Sequence, residues 1–172
     1  MTIPRFYVPG PWTSDRITFP EKASHHAMRV LRMRNGDEAE VFDGEGRTAR
    51  GRTEFSSEGT VLIAESYPEH GRESPLFITL AQAFVSPDKM EWITEKAVEA
   101  GASRIVFFPA ARSVTKLSGD KLTKRLEKLR ATAVSACEQC GRSRIPEIET
   151  FASAEAMLSG LNADARVILA PS

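Results

Sequence analysis

The chain has 172 residues, 41% hydrophobic and 27% charged, with 23 basic and 23 acidic side chains and a net charge of zero. That length suits one large domain or two small ones; no apolar run approaches a membrane span, and the balanced charge argues against a uniformly basic nucleic-acid binder. The opening Met-Thr-Ile-Pro-Arg-Phe-Tyr lacks the regions of a signal peptide, which points to a cytoplasmic protein.

Residues 1–70 read as short strands at 5–8, 16–19, 38–42, 48–55 and 60–67. Glycine turns separate several of them: Asn35-Gly36-Asp37, Asp43-Gly44-Glu45-Gly46 and Glu58-Gly59. Close spacing with turn signals predicts a small antiparallel barrel. One helix interrupts it over 20–33, with Ala23, Ala27, Val30 and Leu31 as its apolar face and Arg29, Arg32 and Arg34 projecting elsewhere. His26 reads either as a site residue or as an ordinary packing histidine. The arginines read either as phosphate ligands or as a solvated face near a helix C-terminus, where cations are favoured.

Residues 68–75, Pro-Glu-His-Gly-Arg-Glu-Ser-Pro, are polar and end in proline on both sides, which marks a linker. Beyond it strands and helices alternate: strand 76–84, a helix opened by Ser86-Pro87-Asp88, strand 104–108, a helix over 120–140, a short helix over 153–161 and strand 166–170. Met90, Ile93, Ala97 and Ala100 mark the buried face of the first helix. Leu122, Leu126, Leu129 and Ala133 mark that of the second, while Lys121, Lys124, Arg125 and Lys128 form a separate stripe. Such alternation predicts a parallel sheet with right-handed crossovers. Ligands then sit beyond the carboxyl ends of the strands, near residues 82–86, 109–113 and 170–172. No glycine-rich phosphate loop follows the first of these strands.

Residues 112–144 hold nine basic and three acidic side chains, a local charge of +6 in a neutral chain. Their end, Ala136-Cys-Glu-Gln-Cys-Gly-Arg-Ser-Arg-Ile-Pro146, places Gly141 as a helix stop and Pro146 as a bar to its resumption. Glu138 opposes the macrodipole of the last helical turn, so it needs a partner, and Arg142 is the nearest candidate. The loop reads either as a capped helix end with a surface salt bridge or as a grip for phosphate or a polar ring. Cys137 and Cys140 form a Cys-x-x-Cys, but no second pair exists, and His25, His26 and His70 lack ligand spacing. A redox pair usually opens a helix, whereas this one closes a helix, so structural thiols are expected and no metal.

Four motifs occur in register: His26-Ala-Met-Arg-Val-Leu-Arg32, Lys96-Ala-Val-Glu-Ala-Gly101, Arg112-Ser-Val-Thr-Lys116 and Glu138-Gln-Cys-Gly-Arg-Ser-Arg-Ile-Pro146. Together they resemble the small-subunit ribosomal RNA uridine-N3 methyltransferases of the SPOUT, or trefoil-knot, class. The resemblance implies an α+β chain of two domains: a PUA-like RNA-binding barrel over 1–70, then over 75–172 the first part of an α/β parallel-sheet domain that binds S-adenosylmethionine and forms a homodimer. It implies methylation of N3 of one uridine in 16S rRNA of the small ribosomal subunit, with no membrane partner. Arg29, Arg32, Arg112, Lys116, Arg142 and Arg144 are the implied RNA contacts. Glu138 and Arg142 are catalytic candidates, and Leu169, Ala170 and Pro171 are one wall of the cofactor pocket. The family's Gly-Pro-Glu-Gly-Gly loop and Leu-Gly-x-Arg segment do not occur here. The expectation is therefore a chain incomplete at its C-terminus and inactive alone, with a non-catalytic rRNA-binding or ribosome-assembly protein as the alternative.

Overall fold

The structure, a computed structural model, describes residues 3–57, 59–68, 73–111, 113 and 117–169. Strands β1 (Arg5–Tyr7), β2 (Arg16–Thr18), β3 (Glu38–Phe42), β4 (Thr48–Ser56) and β5 (Gly59–Ser66) form one sheet in the order β1-β3-β4-β5-β2. All its pairings are antiparallel except β1 with β3, which run parallel, a departure from the purely antiparallel expectation. Alternation along β4 buries Ala49, Gly51 and Thr53 and exposes the arginines and glutamate between them. Phe6, Val8, Ile17, Phe19, Ala39, Val41 and Leu62 fill the core beneath.

Between β2 and β3 the sequence predicts one continuous helix. The structure has α1 (Glu21–His25) running into a π-helical turn, His26–Val30. Leu31 N–H closes the turn on the His26 carbonyl at 3.0 Å. The wider ring rotates the residues after Ala27 off the inward face. Ala27 is therefore buried, but Val30 is 60% exposed and Leu31 44%, against the expectation that both face the core.

The second sheet is parallel, β6 (Thr79–Ala83), β7 (Arg104–Phe108) and β8 (Glu147–Thr150), in chain order. Crossover helices α2 (Pro87–Glu99) and α3 (Gly119–Cys140) pack against each other. Gly141, at φ 85°, ends α3 in the left-handed conformation that glycine takes without strain. Met90, Ala97, Leu129 and Ala133 are buried as periodicity predicts, and Thr94 and Val98 join them, while Ala100 is exposed. Strand β6 is shorter than predicted because residues 76–78 lie exposed before it. The predicted strand at 166–170 is not formed over 166–169, whose side chains are exposed; β8 is the third strand instead. A short helix, α4 (Ala154–Gly160), follows β8, its Ser153 side chain accepting from Ala156 N–H at 3.1 Å. No described helix is long and apolar enough to cross a membrane.

Candidate functional site

The carboxyl ends of β6, β7 and β8 open onto one cleft of about 640 Å³. Phe84, Pro109, Leu122 and Phe151 give it apolar walls, and Ser118 and Thr150 bring hydroxyls. Its size and mixed lining suit a small organic ligand, and its place is where open parallel sheets bind one. The sequence points to the ends of the first two strands, and the third contribution comes from residues 150–152 after β8. Leu169, expected as a wall, is 92% exposed and does not line the cleft. Ala170 and Pro171 lie outside the described residues.

The loop after α3 is built into the junction between the two sheets. Arg142 is 6% exposed. Its Nη1 donates to the carbonyls of Val98 at 3.1 Å and Ala102 at 2.8 Å, and its Nε and Nη2 donate to one Glu73 oxygen at 3.1 and 2.9 Å. The other Glu73 oxygen accepts from the backbone N–H groups of Ser143 and Arg144, both at 3.0 Å. Burial pushes the Glu73 carboxyl up, but these bonds together outweigh it and leave the group below the ordinary carboxylate value. Arg142 therefore neither pairs with Glu138 nor offers its guanidinium to phosphate, a correction to both expectations: its donors are spent inside the protein. Glu73 escaped the sequence reading because nothing local distinguishes one acid in a polar linker whose partner lies 69 residues on.

Glu138 instead accepts from Tyr7 N–H of β1 at 3.0 Å. Its carboxyl is raised above the ordinary value, first by burial, against the opposing Tyr7 bond and the nearby charges of His26, Lys22 and Arg5. A raised carboxyl suits proton transfer, but its position does not suit the cleft. Leu122 in the cleft wall and Glu138 sit at opposite ends of α3, roughly 24 Å apart at 1.5 Å per residue. Within one chain Glu138 and Arg142 are out of reach of a ligand held there.

Of the remaining expected RNA contacts, Arg29, Arg32 and Arg144 are exposed. Arg144 belongs to the junction: its backbone bridges to Gly44 and Glu45, and its guanidinium crosses Gly46, where an added Cβ would come within 3.0 Å. Arg112 and Lys116 lie outside the described residues. In the α3 stripe, Arg125 pairs with Glu91 at 2.8 Å, and Lys128 lies 3.7 Å from the same acid. Cys137 is buried, and its Sγ lies 3.6 Å from the Arg144 carbonyl. Burial pushes its thiol up to about 12, so it is a poor source of thiolate at neutral pH.

A family profile for an RNA methyltransferase domain matches residues 72–172, and one for an RNA methyltransferase PUA domain matches residues 19–64. The chain is 33% identical over 136 residues to ribosomal RNA small subunit methyltransferase E of Bacillus subtilis (strain 168), across 78% of this chain and 53% of that protein. It is 35% identical over 128 residues to the protein of that name from Mycobacterium tuberculosis (strain CDC 1551 / Oshkosh), across 72% of this chain and 47% of the relative. The chain thus spans about half the length of these curated relatives. Among solved structures, a putative methyltransferase of Legionella pneumophila in complex with SAM superposes with a TM-score of 0.92 at 28% identity, over 100% of this chain and 72% of that one. A ribosomal RNA small subunit methyltransferase E of Neisseria gonorrhoeae bound to S-adenosyl methionine gives 0.83 at 28% identity, over 94% and 67%.

Proposed function

This chain belongs to the RNA methyltransferase family, and we propose that its protein methylates N3 of a specific uridine in 16S rRNA of the small ribosomal subunit, using S-adenosylmethionine. The observation that carries the reading is the order of parts: a PUA-type sheet followed by a parallel sheet whose carboxyl ends converge on a ligand-sized cleft. In this reading residues 1–70 dock RNA and residues 75–172 belong to the catalytic domain, the protein works in the cytoplasm, and its active form is a homodimer. Arg29, Arg32 and Arg144, with Arg112 and Lys116, hold phosphates.

The cleft residues fit the donor. Phe84, Pro109, Leu122 and Phe151 supply apolar walls for an adenosine, and Ser118 and Thr150 supply polar atoms. S-adenosylmethionine, when bound, supplies an electrophilic methyl group. A ligand filling the cleft displaces water from these apolar walls, which strengthens the polar contacts made there. Alignment of the base against the donor is the chain's main contribution to rate.

The test is direct. Protein expressed from its natural gene is incubated with undermodified small subunits and isotopically labelled S-adenosylmethionine, and the rRNA nucleosides are resolved by mass spectrometry. Labelled 3-methyluridine is expected. Label on another atom, or none, overturns the assignment.

A further inference from the structure

The π-helical turn His26–Val30 puts large apolar side chains where a soluble surface rarely keeps them. Met28, Val30 and Leu31 are 39%, 60% and 44% exposed, all within the turn and its C-cap. A regular helix would have kept Val30 and Leu31 in register with buried Ala27; the wider ring turns them outward. The segment then passes through Arg32, the one described non-glycine residue at positive φ, 54°. Backbone held so unfavourably, presenting apolar side chains to water, is the pattern of a binding element rather than of a packed one.

The charge of the same segment identifies the partner. From residue 22 to residue 36 there is no acid, while Lys22, Arg29, Arg32 and Arg34 are all exposed. Among the described residues the acids near it are Glu21, Asp37, which accepts from Arg34 N–H at 2.7 Å, the half-buried Glu138, and Glu95 and Glu99, which share a cleft with Lys22 and lie beside the α2 lysine Lys96. Cations and apolar side chains are interleaved along the chain here, Met28-Arg29-Val30-Leu31-Arg32, with all five exposed. A membrane-surface helix separates its cations from its apolar face. A single nucleic-acid strand instead offers phosphates and base faces in turn, and so matches the interleaving.

We propose that residues 26–32 are a base-unstacking wedge: Met28, Val30 and Leu31 insert between bases of single-stranded RNA whose phosphates are held by Arg29 and Arg32. The proposal rests on the RNA reading above and adds to it the form in which the RNA is taken. Apolar wedges of this kind unstack neighbouring bases, and a base inside folded RNA must leave its stack before its edge is reached.

The experiment uses the whole chain and a short single-stranded oligoribonucleotide carrying the fluorescent base 2-aminopurine, which brightens when unstacked. Binding and emission are measured across a salt series for the wild type, for M28S/V30S/L31S and for R29A/R32A. The apolar variant should bind about tenfold more weakly, lose the brightening and keep the salt slope. The arginine variant should lower the log–log salt slope by about 1.4, or 0.7 for each single-strand phosphate contact. Because the three apolar side chains are exposed, thermal melting should not move; if it does, V30S alone, at the most exposed of them, carries the test. An apolar variant that binds and brightens like the wild type overturns the wedge and leaves the RNA reading standing. Failure of the wild type to bind the oligonucleotide overturns the wedge, whereas the RNA reading falls only with the small-subunit assay above. Binding to phosphatidylglycerol vesicles in place of RNA, lost in M28S/V30S/L31S, assigns the patch to a membrane and overturns the wedge.

Discussion

Glu73 and Arg142 form a largely buried ion pair at the junction, with side-chain exposures of 20% and 7%. Four N–H donors converge on one carboxylate, and among the described residues Glu73 is the acid that Arg142 pairs with. Replacing Glu73 with Ala leaves that charge buried without its acid, and the loss should be about 3 kcal/mol at neutral pH by chemical denaturation. The folded carboxyl lies below its ordinary value. Its contribution is therefore complete above the ordinary value and lost as the pH falls through the folded one, so the wild-type advantage over E73Q should shrink in acid. Glu138 has the opposite sign. Burial raises its carboxyl, so the fold is penalised as the pH rises from the ordinary value through the raised one. Glu138→Gln keeps an oxygen to accept from Tyr7 N–H and should be more stable than the wild type at pH 7, with the gain disappearing at pH 4. An equal gain at both values would mean that the carboxylate's charge is not the cause.

At the scale of elements, the long β4–β5 ladder depends on one glycine. A register shift falls between Arg50 and Gly51, and a Cβ at Gly51 would stand 1.8 Å from the Ile63 carbonyl oxygen. No rotamer relieves a clash between Cβ and backbone. Gly51→Ala should therefore open the ladder and cost about 3 kcal/mol, which lowers the melting temperature by roughly 6–12 °C for a chain of this size; an unchanged melt would show that the bulge absorbs the methyl. Elements with strong periodicity or clear stops were legible: β3 and β7 coincide with the strands expected at 38–42 and 104–108, and Gly141 ends α3. Strand β8 was not, because Glu147 and Glu149 flank its one large apolar residue, Ile148. Its acids are there to meet Arg104 of β7, at 3.0 Å from Glu147 and 3.5 Å from Glu149, a match visible only once the strands are paired. The apolar run at 167–169 looked more like a strand than β8 and is not one. The π-helical turn was equally invisible, since its residues satisfy ordinary helical spacing and only the hydrogen bonds reveal the wider ring. The cleft was half legible for the same reason: strand ends can be read from pattern, but the loop after an unread strand cannot.

For the whole molecule, the two sheets are joined more firmly than a polar linker alone would allow. Phe42 of β3 is fully buried, packed in the core of the parallel-sheet half with Tyr7 beside it. Ile145 N–H donates to the Gly44 carbonyl at 2.9 Å, and Gly46 N–H to the Ser143 carbonyl at 3.1 Å. Arg5 ties these contacts together. Its Nε pairs with Glu40 within the first sheet. Its Nη1 donates to the Cys137 carbonyl at 2.9 Å and the Arg142 carbonyl at 3.2 Å, across the junction, and its guanidinium lies 4.7 Å from the Phe42 ring centroid. The last carbonyls of a helix have no partner within it. Arg5 adds a donor from the first half to the Cys137 carbonyl, which also accepts from Gly141 N–H at 3.0 Å, and reaches the Arg142 carbonyl just past the end of α3, so the halves should unfold together. Arg5→Met keeps the length and the contact with Phe42 but removes every donor. Differential scanning calorimetry should give one transition for the wild type. In R5M the two halves should part into two transitions, with the first at lower temperature. A single peak at unchanged temperature would mean that Phe42 and the Gly44–Ile145 contacts couple the halves unaided, and that Arg5 is incidental to the junction.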